Sequence, residues 1–75
     1  MKKKRSLSLH GHKTSVALEP EFWQVLDDEA QKREQSLAGL LAHLDDQRIL
    51  EGNQSGLASY LRVWVIRILL NNPSE

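Results

Sequence analysis

Lys2, Lys3, Lys4 and Arg5, joined by Lys13, place five cations and no acid in the first 13 residues of a 75-residue chain. A localised cationic stretch is suited to contact with a polyanion, and on a phosphate backbone each neutralised phosphate steepens the salt dependence of binding. Other groupings are weaker carriers of chemistry. His10-Gly11-His12 sets two imidazoles two residues apart, but a metal needs further ligands and no acid or cysteine lies near them in sequence, so no metal site is expected. Asp27-Asp28-Glu29 and Asp45-Asp46 put acids side by side, where neighbours on a helix point apart and read as solvated faces rather than an acid–base pair. Trp23 and Trp64 sit among aliphatics at helical spacing and read as core or interface residues before stacking platforms. No nucleophile–base arrangement, glycine-rich phosphate loop or cofactor fingerprint is present, so neither catalysis nor a cofactor is expected.

The elements that must position these residues belong to one small domain. Formal net charge is zero, but the body from residue 14 to 54 holds nine acids against Lys32, Arg33 and Arg48, so a cationic arm precedes an acidic body. With 40% apolar residues and no cysteine the chain can form a core but cannot staple it with disulfides. Oligomerisation is then the expected support. The basic start runs into Ser6-Leu7-Ser8-Leu9, unlike a signal peptide, and the apolar run from Val63 to Leu70 is too short to span a bilayer and contains Arg67. No membrane association and a cytoplasmic, nucleoid-associated location are expected.

From Lys13 to Leu18 the chain alternates, with Val16 and Leu18 on one face and Lys13, Ser15 and Ala17 on the other, which predicts a half-buried strand. Ser6-Leu7-Ser8-Leu9 alternates too, but in the opposite phase, and Gly11 is where a bulge or bend would reset it. Only one strand is firmly indicated, and no other segment supplies its partner. Pro20 opens helix A, which runs to about Glu34 with Phe22, Val25, Leu26 and Ala30 as its apolar stripe. Ser36 caps helix B, from Leu37 to about Arg48, with Leu37, Leu40, Leu41 and Leu44 at helical spacing. After the turn cluster Glu51–Ser55, helix C runs to about Leu70 and is apolar on most sides, which again favours self-association.

A basic arm, one alternating strand and two helices with a capping Ser between them resemble the ribbon-helix-helix family of Arc- and MetJ-type repressors. The carrying residues are Gly11 to Val16, Leu18-Glu19-Pro20, Phe22-Trp23 and Ser36-Leu37, and the phrasing is similar to a bacterial subgroup with an extra C-terminal helix. The resemblance implies a mainly α fold with one short strand: an intertwined homodimer whose two strands, one from each chain, form an antiparallel ribbon. It implies a basic flexible arm over 1–12, the ribbon-helix-helix domain with its third helix over 13–70, and a tail over 71–75.

The implied function is sequence-specific transcriptional regulation on double-stranded DNA. A two-stranded ribbon enters the major groove and outward side chains meet base edges, here Lys13, Ser15 and Ala17 from each chain. Phosphates would meet Lys3, Lys4 and Arg5, and the amino end of helix B at Ser36-Leu37. The family often has Gly before that helix; here the left-handed residue must be Glu34 or Gln35. Val16, Leu18, Phe22, Leu26, Leu40, Leu41, Leu44, Leu61 and Trp64 would make the dimer core. The alternative reading is a protein-interaction module of the same fold, antitoxin-like or an adaptor, using the apolar helix of residues 55–70, which would also serve to pair dimers into tetramers.

Overall fold

A computed structural model of the chain describes residues 1–71. It contains β1 (Lys3–Leu9), β2 (His12–Leu18), α1 (Pro20–Lys32), α2 (Leu37–Leu50) and α3 (Leu57–Asn71). The three helices fall where apolar spacing predicts them, α1 opening at Pro20 and α2 after the capping Ser36, and α3 takes in Asn71, the first residue of the expected tail. The rest of that tail, 72–75, lies outside the described residues.

The strands correct the single-strand expectation. Residues 3–9, expected as part of a flexible arm, form β1 and pair antiparallel with β2 of the same chain, from Lys3 opposite Leu18 to Leu9 opposite His12. The ladder of β2 therefore has a partner without a second copy. No bulge resets the phase: His10 and Gly11 form a two-residue loop with φ of 56° and 79°, the positive angles that a type I′ hairpin turn requires of both loop residues. In this register odd residues of β1 face even residues of β2. The opposite phases of the two stretches are thus the condition for Leu7 and Leu9 to lie on the same face as Val16 and Leu18.

That apolar face packs on the helices. The core holds Leu9, Val16 and Leu18 from the sheet, Trp23, Leu26 and Ala30 from α1, Leu40, Leu41 and Leu44 from α2, and Tyr60, Leu61 and Val65 from α3. Seven of the nine residues assigned to a dimer core, Val16, Leu18, Leu26, Leu40, Leu41, Leu44 and Leu61, are therefore buried within one chain, while Phe22 and Trp64 pack partly buried against the same cluster. Sheet and third helix together supply the cover that two helices alone would lack. The outer side of α3 is different: Val63, Ile66, Leu69 and Leu70 stay exposed, as do Ile49 and Leu50 at the end of α2.

Side chains fix the hairpin to the helices at several points. The Trp23 indole N–H donates to the Lys3 carbonyl at 2.8 Å, satisfying its polar edge while its ring is buried. His10 Nε2 lies 3.0 Å from Asp46 Oδ1, joining the hairpin tip to α2. Arg62 of α3 donates to Glu19 at 3.1 Å, at the junction between β2 and α1.

Candidate nucleic-acid interface

The outer face of the hairpin is set by the pleat. Side chains alternate across a strand, so the face opposite the core carries Lys4, Ser6 and Ser8 from β1 against Ala17, Ser15 and Lys13 from β2, in that pairing order. Lys4, Ser6, Ser8, Lys13 and Ser15 are exposed and Ala17 is partly covered. The Ser6 and Ser15 hydroxyls meet across the strands at 3.3 Å. The face has two cations, three hydroxyls, one methyl and no acid. It offers donors and acceptors on short side chains between two longer cationic ones, a composition suited to base edges flanked by phosphates.

The structure brings Lys13, Ser15 and Ala17 together on this face and adds Lys4, Ser6 and Ser8. Sequence reasoning misses the two β1 serines as site residues because it treats the first strand as part of an arm. Their signal lies in the Ser-Leu alternation and the His-Gly pair, which together describe a hairpin. Lys3 is exposed at the start of β1 on the opposite side of the pleat from Lys4. Arg5 also lies on that inner side. Its guanidinium makes a bidentate pair with Asp27 at 3.0 and 3.1 Å and stacks 4.6 Å from the Trp23 ring centre. Arg5 is thus engaged inside the chain, an anchor of sheet to α1 rather than a free cation on the outer face.

The amino end of α2 is built as the sequence suggests. Ser36 Oγ accepts from the Gly39 amide at 3.0 Å, and a Cβ at Gly39 would stand 3.1 Å from that oxygen, so the glycine gives the cap its room. Glu34 takes the left-handed conformation at φ 56°. The Gln35 amide donates to the Ala30 carbonyl and the Glu34 amide to the Gln31 carbonyl, both at 3.0 Å, the paired bonds of a Schellman ending without its usual glycine. Leu37 is half-buried and can offer a phosphate only its backbone amide.

Two ionisable groups are displaced from their ordinary behaviour. Hydrogen bonding to its own backbone amide, and then to Arg62, holds the Glu19 carboxyl below its usual range. Burial, and then its hydrogen bond to Glu51, pushes the Tyr60 hydroxyl above its ordinary 10.0. Neither group lies on the outer hairpin face. Among the described residues no cluster of His, Cys, Asp or Glu could hold a metal ion, and no helix is long and apolar enough to cross a membrane.

A family model described as a ribbon-helix-helix domain matches residues 2–69. Among solved structures, the chain is similar to an uncharacterized protein from Bordetella pertussis Tohama I, at 34% identity and a TM-score of 0.80, over 93% of this chain and 57% of that one. The chain thus spans little more than half the length of that neighbour. A comparison with the curated proteins gave no match.

Proposed function

Since the chain belongs to the ribbon-helix-helix domain family, whose members are generally DNA-binding transcription regulators or antitoxins and typically not enzymes, we propose that it is a sequence-specific DNA-binding regulator that acts as a homodimer. The observation that carries this reading is the acid-free outer face of the hairpin, Lys4-Ser6-Ser8 against Ala17-Ser15-Lys13, aimed away from a core that is complete without it. In a two-stranded sheet the second edge of β2 has no strand partner among the described residues. A second copy joining there makes the two β2 strands the central ribbon, which is the two-chain reader of the family, now flanked by each chain's β1.

Strand spacing then divides the labour. Strands lie about 4.8 Å apart, so four of them span roughly 14 Å between the outer axes, slightly more than the roughly 12 Å major groove. The central strands present Lys13, Ser15 and Ala17 to base edges, Lys13 to guanine N7 and O6, Ser15 to several bases and Ala17 to a thymine methyl. The outer strands ride at the groove rims, where Lys4 meets phosphate and Lys3 adds potential. The free amides at Ser36-Leu37 supply a further phosphate contact.

The test is selection from a randomised duplex pool, followed by fluorescence anisotropy at two salt concentrations. A repeated or palindromic motif with affinity falling steeply in salt supports the reading. Lys13→Ala should weaken the selected site by about 1–3 kcal/mol with unchanged circular dichroism and mass. A folded protein that binds no duplex at low salt sinks it. The exposed apolar residues of α3 favour a second reading, a protein-interaction module or a dimer-pairing surface on that helix. It would be preferred if the selection fails and the protein is nevertheless folded.

A further inference from the structure

Away from the hairpin's outer face, a cleft of about 520 Å³ opens between the carboxyl end of α1 and the outer half of α3, lined by Glu29, Lys32, Trp64, Arg67, Ile68 and Asn71. Its volume falls in the range of small-molecule sites, roughly 300–1,000 Å³. We propose that this cleft binds a small planar aromatic carboxylate, with the ring against Trp64 and the carboxylate on Arg67.

Three features of the lining support this. Trp64 is only partly buried, whereas Trp23 is 2% exposed with its indole N–H satisfied. Trp64 packs in part against the core and with the remainder of its surface lines the cleft. The Arg33 guanidinium lies over the Trp64 ring, 5.3 Å from its centre, a cation–π contact from a neighbouring element that leaves the rest of the ring to meet a ligand. Charge in the cleft is unevenly matched. The Glu29 side chain, only 12% exposed, is shared by Lys32 at 3.7 Å and Arg33 at 3.4 Å, while Arg67 is exposed and takes part in none of the side-chain ion pairs among the described residues. Among the described residues the lining carries two cations, Lys32 and Arg67, to one acid, Glu29, and the planar fork of an Arg suits bidentate capture of a carboxylate. Ile68 supplies an apolar contact beside the ring, and the Asn71 amide a second polar group. A neutral ring would make no charge pair with Arg67, and an aliphatic acid would forgo aromatic contact with Trp64.

Full-length protein labelled with ¹⁵N is titrated with indole-3-acetate, with indole and cyclohexylacetate as controls, and the two indole N–H resonances are followed without DNA. Trp23, locked to Lys3, is the internal reference; the resonances are assigned with Trp64→Phe. Indole-3-acetate should move the Trp64 signal saturably and leave that of Trp23 in place, and both controls should bind at least severalfold more weakly. Arg67→Met, at an exposed residue outside the core, should weaken binding about tenfold or more, as expected for loss of a charge-assisted pair. The proposal is overturned by a Trp64 signal that does not saturate, by Arg67→Met binding as well as wild type, or by cyclohexylacetate matching the aromatic acid. Because DNA is absent, none of these outcomes bears on the outer hairpin face.

Discussion

Gly11→Ala tests whether residues 3–18 fold as a hairpin within one chain. Gly11 has a φ of +79°, and a Cβ built on it meets no atom within 4 Å. The substitution therefore adds no steric contact, and its cost is confined to the backbone. Holding a side-chain-bearing residue in the left-handed region costs about 1–2 kcal/mol. In a domain of this size each kcal/mol lowers Tm by roughly 4–8 °C. Gly52→Ala is the matched control, since Gly52 closes α2 at φ +67° and also has open space around its Cα, so it should lose a similar amount whatever the first 12 residues do. The assay is urea unfolding followed by circular dichroism at fixed protein concentration, because the proposed dimerisation would make apparent stability concentration-dependent. Loss of stability in both variants supports the hairpin. If Gly52→Ala is destabilised while Gly11→Ala matches wild type to within about 0.3 kcal/mol, the turn is not formed, and residues 1–12 return to being an arm.

Other variants probe the elements that carry the proposed interface. Glu34→Gly should stabilise the protein by up to about 1 kcal/mol, read as a higher urea midpoint with unchanged slope, because the left-handed position at φ 56° suits glycine better. Leu41→Ala should cost about 2–5 kcal/mol in the same assay, since Leu41 is fully buried among sheet and helices. The pH dependence of stability should fall at both ends. Tyr60 is raised above 10.0 in the folded chain, so its contribution is complete below that value and fades as pH climbs through the folded pKa. Glu19 is lowered from 4.5, so its contribution holds above that value and fades as pH drops through the folded pKa. Glu19→Gln should lessen the acid-side loss in a pH series of thermal melts.

The local elements were legible because their causes are local. Pro20, the capping Ser36 and the apolar spacing of Leu37, Leu40, Leu41 and Leu44 act within a turn or two of chain, and the helices form where these signals fall. The inward set of β2, Val16 and Leu18, and its outward set, Lys13, Ser15 and Ala17, were likewise determined by period-two alternation. The absence of Gly leaves Glu34 or Gln35 as the left-handed closure of α1, and in the structure it is Glu34.

What tertiary structure alone decided is which distant groups meet. Ser6-Leu7-Ser8-Leu9 is as periodic as β2, but periodicity does not state a partner, and its opposite phase becomes sensible only once a two-residue turn sets odd opposite even. Arg5 illustrates the same point for charge. In sequence it is one of a run of cations; in the fold the pleat turns it inward onto Asp27 and Trp23 and leaves Lys4 facing out. Side-chain type and spacing are properties of the sequence, whereas the face on which a charge is spent depends on pairings across 20 or more residues, and only the packed chain sets those.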